Sequence, residues 1–242
     1  MFKRIIGLVL LDQGVVSRTR NFHSDYQYTG EFIDTQFFDE IAFIDISQNH
    51  NQESHNKFQN MVEKLMKDSQ LPVSMGGGIK SMDDIERYRS FGADRYIINQ
   101  TSTMNDEFIC KVIEMYGKSS VISSISHSGE LIASRRHVSS QGISDRIAEI
   151  QSNCGSEILL NSIERDGTLR GLDLETAKLI CRISKVPLIL SGGVGNATHI
   201  EDALKVNNVV GVATSNIYHL TTTTVSSWRS SLLSKGANLR LI

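Results

Sequence analysis

The chain has 242 residues, 40% of them hydrophobic and 21% charged, with a formal net charge of −2. That length matches the ~250 residues of one α/β barrel and argues for a single domain over residues 1–242. The near-neutral balance offers no basic field for nucleic acid and no polybasic run for a membrane surface, and no apolar stretch approaches the ~18 residues of a membrane span. Met1-Phe2-Lys3-Arg4-Ile5-Ile6 enters an apolar run without a cleavage-site pattern, which predicts a cytoplasmic protein without a signal peptide. Cys110, Cys154 and Cys181 are odd in number and widely spaced, and they read as reduced core residues.

Short β-rich runs alternate with amphipathic stretches along the whole chain. Strands are expected at Ile5–Leu11, Ile41–Ile46, Val73–Met75 and Arg95–Ile98, then at Ser120–Ile125, Glu157–Ser162, Leu188–Leu190 and Val209–Ala213. Helices are expected between them, among them Met82–Phe91 and Asp173–Ile183, the second opened by Asp173 as N-cap. The chain also repeats itself. Pro72 and Pro187 lie 115 positions apart, as do Gly77-Gly78 and Gly192-Gly193, Ile85-Glu86 and Ile200-Glu201, and Asn99-Gln100 and Thr214-Ser215. Phe43-Ile44-Asp45 pairs with Ile158-Leu159-Leu160 at the same offset. Eight βα units in two similar halves predict a closed (β/α)8 TIM barrel rather than an open doubly wound sheet, because neither half buries its sheet edges alone.

Glycine runs follow the third and seventh strands: Gly76-Gly77-Gly78 and Ser191-Gly192-Gly193. Such runs let the backbone turn tightly and bring N–H groups close to an anion. One phosphate site is therefore expected at Gly192, Gly193, Thr214 and Ser215, the loops after strands seven and eight. The repeat places a second at Gly77, Gly78, Asn99 and Gln100. Glu164-Arg165-Asp166-Gly167-Thr168 follows strand six, where Gly167 and Thr168 would complete the first cradle and Asp166 would orient a hydroxyl. A plain Asp-Gly turn is the alternative. Asp45, at the end of strand two, is either a carboxylate at the barrel mouth or a cap for the segment after it. No metal-ligand cluster and no cofactor motif stand out.

Lys3-Arg4-Ile5-Ile6, Phe43-Ile44-Asp45-Ile46, Gly76-Gly77-Gly78-Ile79, Gly92-Ala93-Asp94-Arg95 and Ser162-Ile163-Glu164-Arg165-Asp166-Gly167-Thr168 together resemble one family. It is the cyclase subunit of imidazole glycerol phosphate synthase, the ammonia-using barrel of histidine biosynthesis. The resemblance runs from residue 3 to residue 240. It implies a lyase-type synthase subunit, a phosphorylated substrate bound at the two glycine-rich sites, and a glutaminase partner in a heterodimer. It also implies an ammonia gate at the barrel base from Arg4, Glu40, Arg95 and Glu157, and a partner-facing residue at Asp94.

The resemblance breaks at the acid–base pair. The family's two aspartates fall at Leu10 and Ser126, and neither side chain moves a proton well on its own. A slip of register would recruit Asp12, so the catalytic candidates are Asp12, Asp45, Ser126 and Asp166. Arg18 stands for the family's lysine, Gln100 for a threonine of the second phosphate site, and the loop Ser128 to Gln141 is unlike the usual pattern. The expected function is a paralogue that amidates a phosphorylated or nucleotide-linked sugar, as in lipopolysaccharide biosynthesis. The alternatives are a genuine imidazole glycerol phosphate synthase cyclase subunit and a non-catalytic scaffold that activates a glutaminase.

Overall fold

The computed structural model describes residues 2–28, 33–99, 106–128, 132–134, 136–138, 147–148, 150–151, 156–215 and 224–241. Gln100, Cys154 and half of the loop from 128 to 141 lie outside these residues. Eight parallel strands close on themselves: β1 (Arg4–Asp12), β4 (Glu40–Asp45), β5 (Val73–Gly76), β6 (Arg95–Asn99), β7 (Val121–His127), β10 (Glu157–Ser162), β11 (Leu188–Ser191) and β12 (Val209–Thr214). β12 pairs with β1, Arg4 opposite Gly211 and Ile6 opposite Ala213, which completes the barrel.

Alternation along each strand divides the apolar residues into two layers. Ile6, Leu8, Ala42, Ile97, Ile122, Leu159, Ile189 and Val210 fill the lumen. Their neighbours, such as Ile5, Val9, Ile41, Phe43, Ile158 and Val212, face the helices. The helices are α1 (Gln52–Met66), α2 (Met82–Ser90), α3 (Asp106–Tyr116), α4 (Leu174–Ile183), α5 (Ala197–Lys205) and α6 (Val225–Ser234). Local chemistry starts them where they start. Asn51 and Ser54 form a capping box on α1, Ser81 and Asp84 form another on α2, and Asp173 accepts from Thr176 N at the head of α4. Among the described residues, no helix is long and apolar enough to cross a membrane.

Two hairpins escaped the sequence reading. β2 (Val15–Arg20) and β3 (His23–Tyr28) extend the sheet beyond β1, with Leu10 opposite Ser17 and Asp12 opposite Val15. Their turn residues Asn21 and Phe22 sit at φ 51° and 65°, the positive pair a two-residue hairpin turn demands. β8 (Ile132–Ser134) and β9 (Arg136–Val138) form a second, separate ribbon after β7.

The repeat is real, but its offset is not constant. Ile41 pairs with Val73 as Ile158 pairs with Leu188. The second strands are thus 117 positions apart while the third are 115 apart, and Asp45 corresponds to Ser162 rather than to Leu160. A bulge between Leu188 and Ile189 shifts β12 by one, so that Ser215, not Thr214, stands where Asn99 does. The cysteine expectation also needs correcting. Cys110 is exposed and Cys181 half-buried, because α3 turns Ile109 and Val112 inward instead.

Candidate functional site

The loops after β10, β11 and β12 meet in one open cleft at the C-terminal face. Asp166, Gly167, Leu169, Ser191, Gly192, Gly193, Val194, Ala213, Thr214 and Ser215 line about 260 Å³ of empty space. Five residues expected at the first phosphate site, Gly167, Gly192, Gly193, Thr214 and Ser215, are brought together here. Thr168 is not among the lining residues, and its hydroxyl donates to Arg165 O at 2.8 Å. Side-chain-free positions are needed in this cleft. A Cβ on Gly192, at φ +91°, would come within 2.6 Å of Ser162 O.

Asp166 does not point freely into the cleft. Its Oδ2 accepts from Thr19 Oγ1 at 2.7 Å and from Phe22 N at 3.1 Å, and its carbonyl accepts from Asn21 N. The carboxylate fastens the β2–β3 hairpin over the cleft. Burial raises its pKa above the ordinary aspartate value, and the hydrogen bonds from Thr19 and Phe22 and the charge of Arg18 pull the other way. Thr19 reaches the site through this hairpin, beside Arg18, the residue expected in place of the family's lysine; strand alternation was the one signal that would have found Thr19.

The second glycine loop has the same backbone shape. Gly77 lies at φ +111°, where a Cβ would meet Asp45 O at 2.1 Å, just as Gly192 meets the equivalent Ser162. Tyr88 of α2 donates its hydroxyl to Gly77 O at 2.6 Å and holds the loop from behind. Asn99 is exposed at the end of β6. Asp45 lies on the strand face of Ile41 and Phe43, away from the lumen, and accepts from Ser47 N at 3.0 Å and faces His50 Nδ1 at 3.2 Å. His50 was missed in the sequence, where a lone histidine between polar residues gives no periodic signal.

Leu10 shares the lumen face of β1 and packs on the apolar lumen cluster. Ser126, on β7, shares the face of Ile122 and stands opposite Asn161 of β10. Asn161 Oδ1 is buried without a hydrogen-bond partner. Asp12 ends β1 half-buried, opposite Val15 of the hairpin. His127, at the end of β7, is buried, and burial lowers its pKa against the raising field of Asp173, 3.7 Å away.

At the opposite end, Arg4, Glu40, Arg95 and Glu157 are the first residues of β1, β4, β6 and β10, and they close a ring. Arg4 reaches Glu40 at 2.9 Å and Glu157 at 2.5 Å; Arg95 reaches Glu40 at 3.5 Å and Glu157 at 2.5 Å. Ser74 Oγ also donates to Glu40, and Arg95 Nε to Ser119 O. Burial opposes the charge on Arg4, but its hydrogen bond to Glu157 and the fields of Glu157, Glu40 and Asp39 together raise its pKa. Just outside the ring, Arg229 of α6 grips Asp39 with two bonds at 2.8 and 2.9 Å, both side chains 4% exposed. Asp94 is exposed, with its Oδ2 accepting from Val73 N at 2.8 Å.

Among the described residues no group of three or more His, Cys, Asp or Glu side chains is arranged to hold a metal ion. Known proteins extend what the geometry says. The putative imidazole glycerol phosphate synthase subunit HisF of Leptospira borgpetersenii is 29% identical over 229 residues, covering 89% of each chain. The imidazole glycerol phosphate synthase subunit HisF of Buchnera aphidicola subsp. Acyrthosiphon pisum (strain APS) is 28% identical over 260 aligned positions, 98% of each chain. That of Streptococcus sanguinis (strain SK36) is 27% identical over 210 residues, 84% of this chain and 82% of its own. The family described as histidine biosynthesis protein matches residues 7–224, from β1 through every barrel strand to the threshold of α6, so the chain belongs to that family.

Proposed function

We propose that this chain is the ammonia-using synthase subunit of a glutamine amidotransferase complex, paired with a glutaminase at the barrel base and acting on a phosphorylated acceptor at the mouth. One observation carries this reading: a paired ring of charges at the base lies below a lumen of uncharged side chains, with the glycine cleft at its other end. Such a lumen admits neutral ammonia and rejects a bare ammonium ion, whose desolvation has no compensating partner there. The glycine loops, with backbone N–H groups and no side chains, suit phosphate groups. Leu10 and Ser126 leave the lumen without the carboxylate pair of a histidine-pathway cyclase, which favours a different acceptor, a phosphorylated or nucleotide-linked sugar of surface polysaccharide.

A second reading, the cyclase of imidazole glycerol phosphate synthase itself, is favoured by the names of the relatives. Glutamine hydrolysis by a co-encoded glutaminase, with and without this chain, tests the first. Stimulation by the wild type, weakened by Asp94→Asn, is the expected result. The asparagine keeps an acceptor for Val73 N–H and removes only the charge. A chain that neither binds nor stimulates the glutaminase removes the proposal. Rescue of a histidine auxotroph transfers the case to the second reading, and stimulation without ammonia-dependent turnover of any acceptor makes the chain a scaffold.

A further inference from the structure

Among the lumen-facing positions near the mouth, Leu10, Asn99, Ser124, Ser126, Asn161 and Ser191 carry no ionisable side chain, while Asp12 ends the same face of β1 beside the β2–β3 hairpin. Beside the second glycine loop, one acid–base pair comes from outside the strand alternation. His50 Nδ1 lies 3.2 Å from Asp45 Oδ2, with the Asp45 side chain 2% exposed and the His50 side chain 28% exposed. The other oxygen of Asp45 is held by Ser47 N, so the carboxylate is fixed in place. The imidazole lies flat against Gly78: a Cβ on that residue, at φ +63°, would come within 2.7 Å of Nε2 and 2.8 Å of Cδ2 and Cε1. Glycine at 78 is what lets the ring touch the loop.

No other described part of the mouth repeats this arrangement. At Gly193, the counterpart of Gly78, the space is taken by Gly171 O and Arg165 Cβ. The His127–Asp173 pair is longer, at 3.7 Å, and its imidazole is 1% exposed. The charged surroundings of His50 are Asp45 from β4, His55 from α1 with its ring centroid 6.2 Å away, and beyond His55 the opposed charges Arg87 and Asp84 of α2.

We propose that Asp45 and His50 form an acid–base dyad serving a phosphate-anchored ligand on the Gly77–Gly78 loop, with Nε2 as the atom that exchanges the proton. This inference rests on the ammonia-using reading given above. A carboxylate only accepts, so Asp45 requires the proton of neutral His50 on Nδ1 and leaves the Nε2 lone pair free toward the loop. When ammonia attacks a carbon of the ligand and its C–N bond forms, the nitrogen carries one proton too many. Nε2 takes that proton, Asp45 stabilises the imidazolium, and the proton passes to the oxygen whose C–O bond breaks. The ring ends neutral, as it began.

The test uses the full chain, inorganic phosphate and diethyl pyrocarbonate, with peptide mass spectrometry and 15N spectra of the imidazoles. The expected spectrum shows neutral His50 protonated on Nδ1, and the expected reaction modifies His50 while His127 stays unmodified. Phosphate should protect His50 and shift its Nε2 resonance. In His50→Gln the phosphate affinity should change little if the ring's work is proton transfer, with the fold checked by circular dichroism. Asp45→Asn, if folded, should slow modification at His50; if it does not fold, the wild-type tautomer alone decides. Neutral His50 protonated on Nε2, or modification that phosphate does not slow, overturns the dyad. Neither readout needs a glutaminase, so failure of the dyad and failure of the amidotransferase reading are separately visible.

Discussion

Glu157→Gln removes one charge from the ring at the barrel base while keeping its size. Glu157 makes both of the 2.5 Å contacts in the ring, one to each arginine. Without its charge, Arg4 and Arg95 face each other across Glu40 alone. Removing one partner from a buried ion pair costs ~3–5 kcal/mol, whereas an exposed pair is worth ~0–1 kcal/mol. Glu157 is 7% exposed but Arg4 and Arg95 are 20% and 15% exposed, which puts the expected cost between those limits, at roughly 2–3 kcal/mol. For a chain of this size each kcal/mol moves the melting temperature by ~2–4 °C, so thermal unfolding followed by circular dichroism should show a drop of roughly 5–10 °C. The double variant Glu157→Gln, Arg95→Gln should recover part of the loss, because it removes the charge left uncompensated. At ~1 M salt, where screening reaches ~3 Å, the drop should persist, since a ring closed by direct contact is shielded from bulk ions. A shift within about 1 °C, or one that vanishes in salt, would refute the view that these four charges hold each other.

Asp39→Asn strips the charge from the bidentate partner of Arg229 inside the protein, and urea titration should show a loss of ~3–5 kcal/mol. Gly193→Ala puts a Cβ 2.3 Å from Gly171 O at φ +99°. The expected strain is ~1–3 kcal/mol, with loss of phosphate from the first cleft and not from the Gly77–Gly78 loop, as read by calorimetric titration of both. Burial is the first cause lowering the pKa of His55, His127 and His199. Their neutral forms are favoured by folding, so this part of the stability is complete above the ordinary imidazole value of ~6.5 and is lost as pH falls through the depressed folded values. His127→Gln should flatten part of that slope in denaturation curves taken at successive pH values. Asp166 has the opposite sense, for burial raises its pKa and its folded form binds the proton more tightly. Its contribution falls as pH rises from the ordinary aspartate value of ~3.9 through the raised one, and a stability difference from Asp166→Asn that is flat over that window would count against the assignment.

The barrel was legible because its strands carry a strong signal. Runs such as Ile158-Leu159-Leu160 are buried on both faces, so their existence and order survive any error at the ends. The offset error at Asp45 arose from treating the repeat as rigid. Two residues separate the halves at β4 and β10, and a β-bulge beside β11 absorbs one more, which no comparison of glycine pairs reveals. The first glycine cleft was readable for the same reason as the barrel: loops at strand ends have fixed neighbours. Thr168 stands outside the lining of the cleft, because a hydroxyl beside a turn satisfies itself on the nearest carbonyl, here Arg165 O. The β2–β3 hairpin and His50 were missed because both depend on contacts far along the chain, with Asp166 in one case and with Gly78 in the other. The charged ring was accessible only through a family resemblance, since four single charges at strand starts form no pattern along the sequence.

The Asp39–Arg229 clasp has a consequence for how the molecule is made. The two partners are 190 residues apart, and the pairing of β1 with β12 spans farther still. As the polypeptide leaves the ribosome, β1 can pair with β2 and β4 early, but its β12-facing edge and the growing edge of the sheet stay open until β12 has emerged, and Asp39 waits for its cation until α6 follows. Contacts of such separation form late, because loop closure has to precede any gain from them. The nascent half-built sheet therefore carries two adhesive edges through most of translation, and that interval is when the chain is most exposed to aggregation and most in need of chaperone cover.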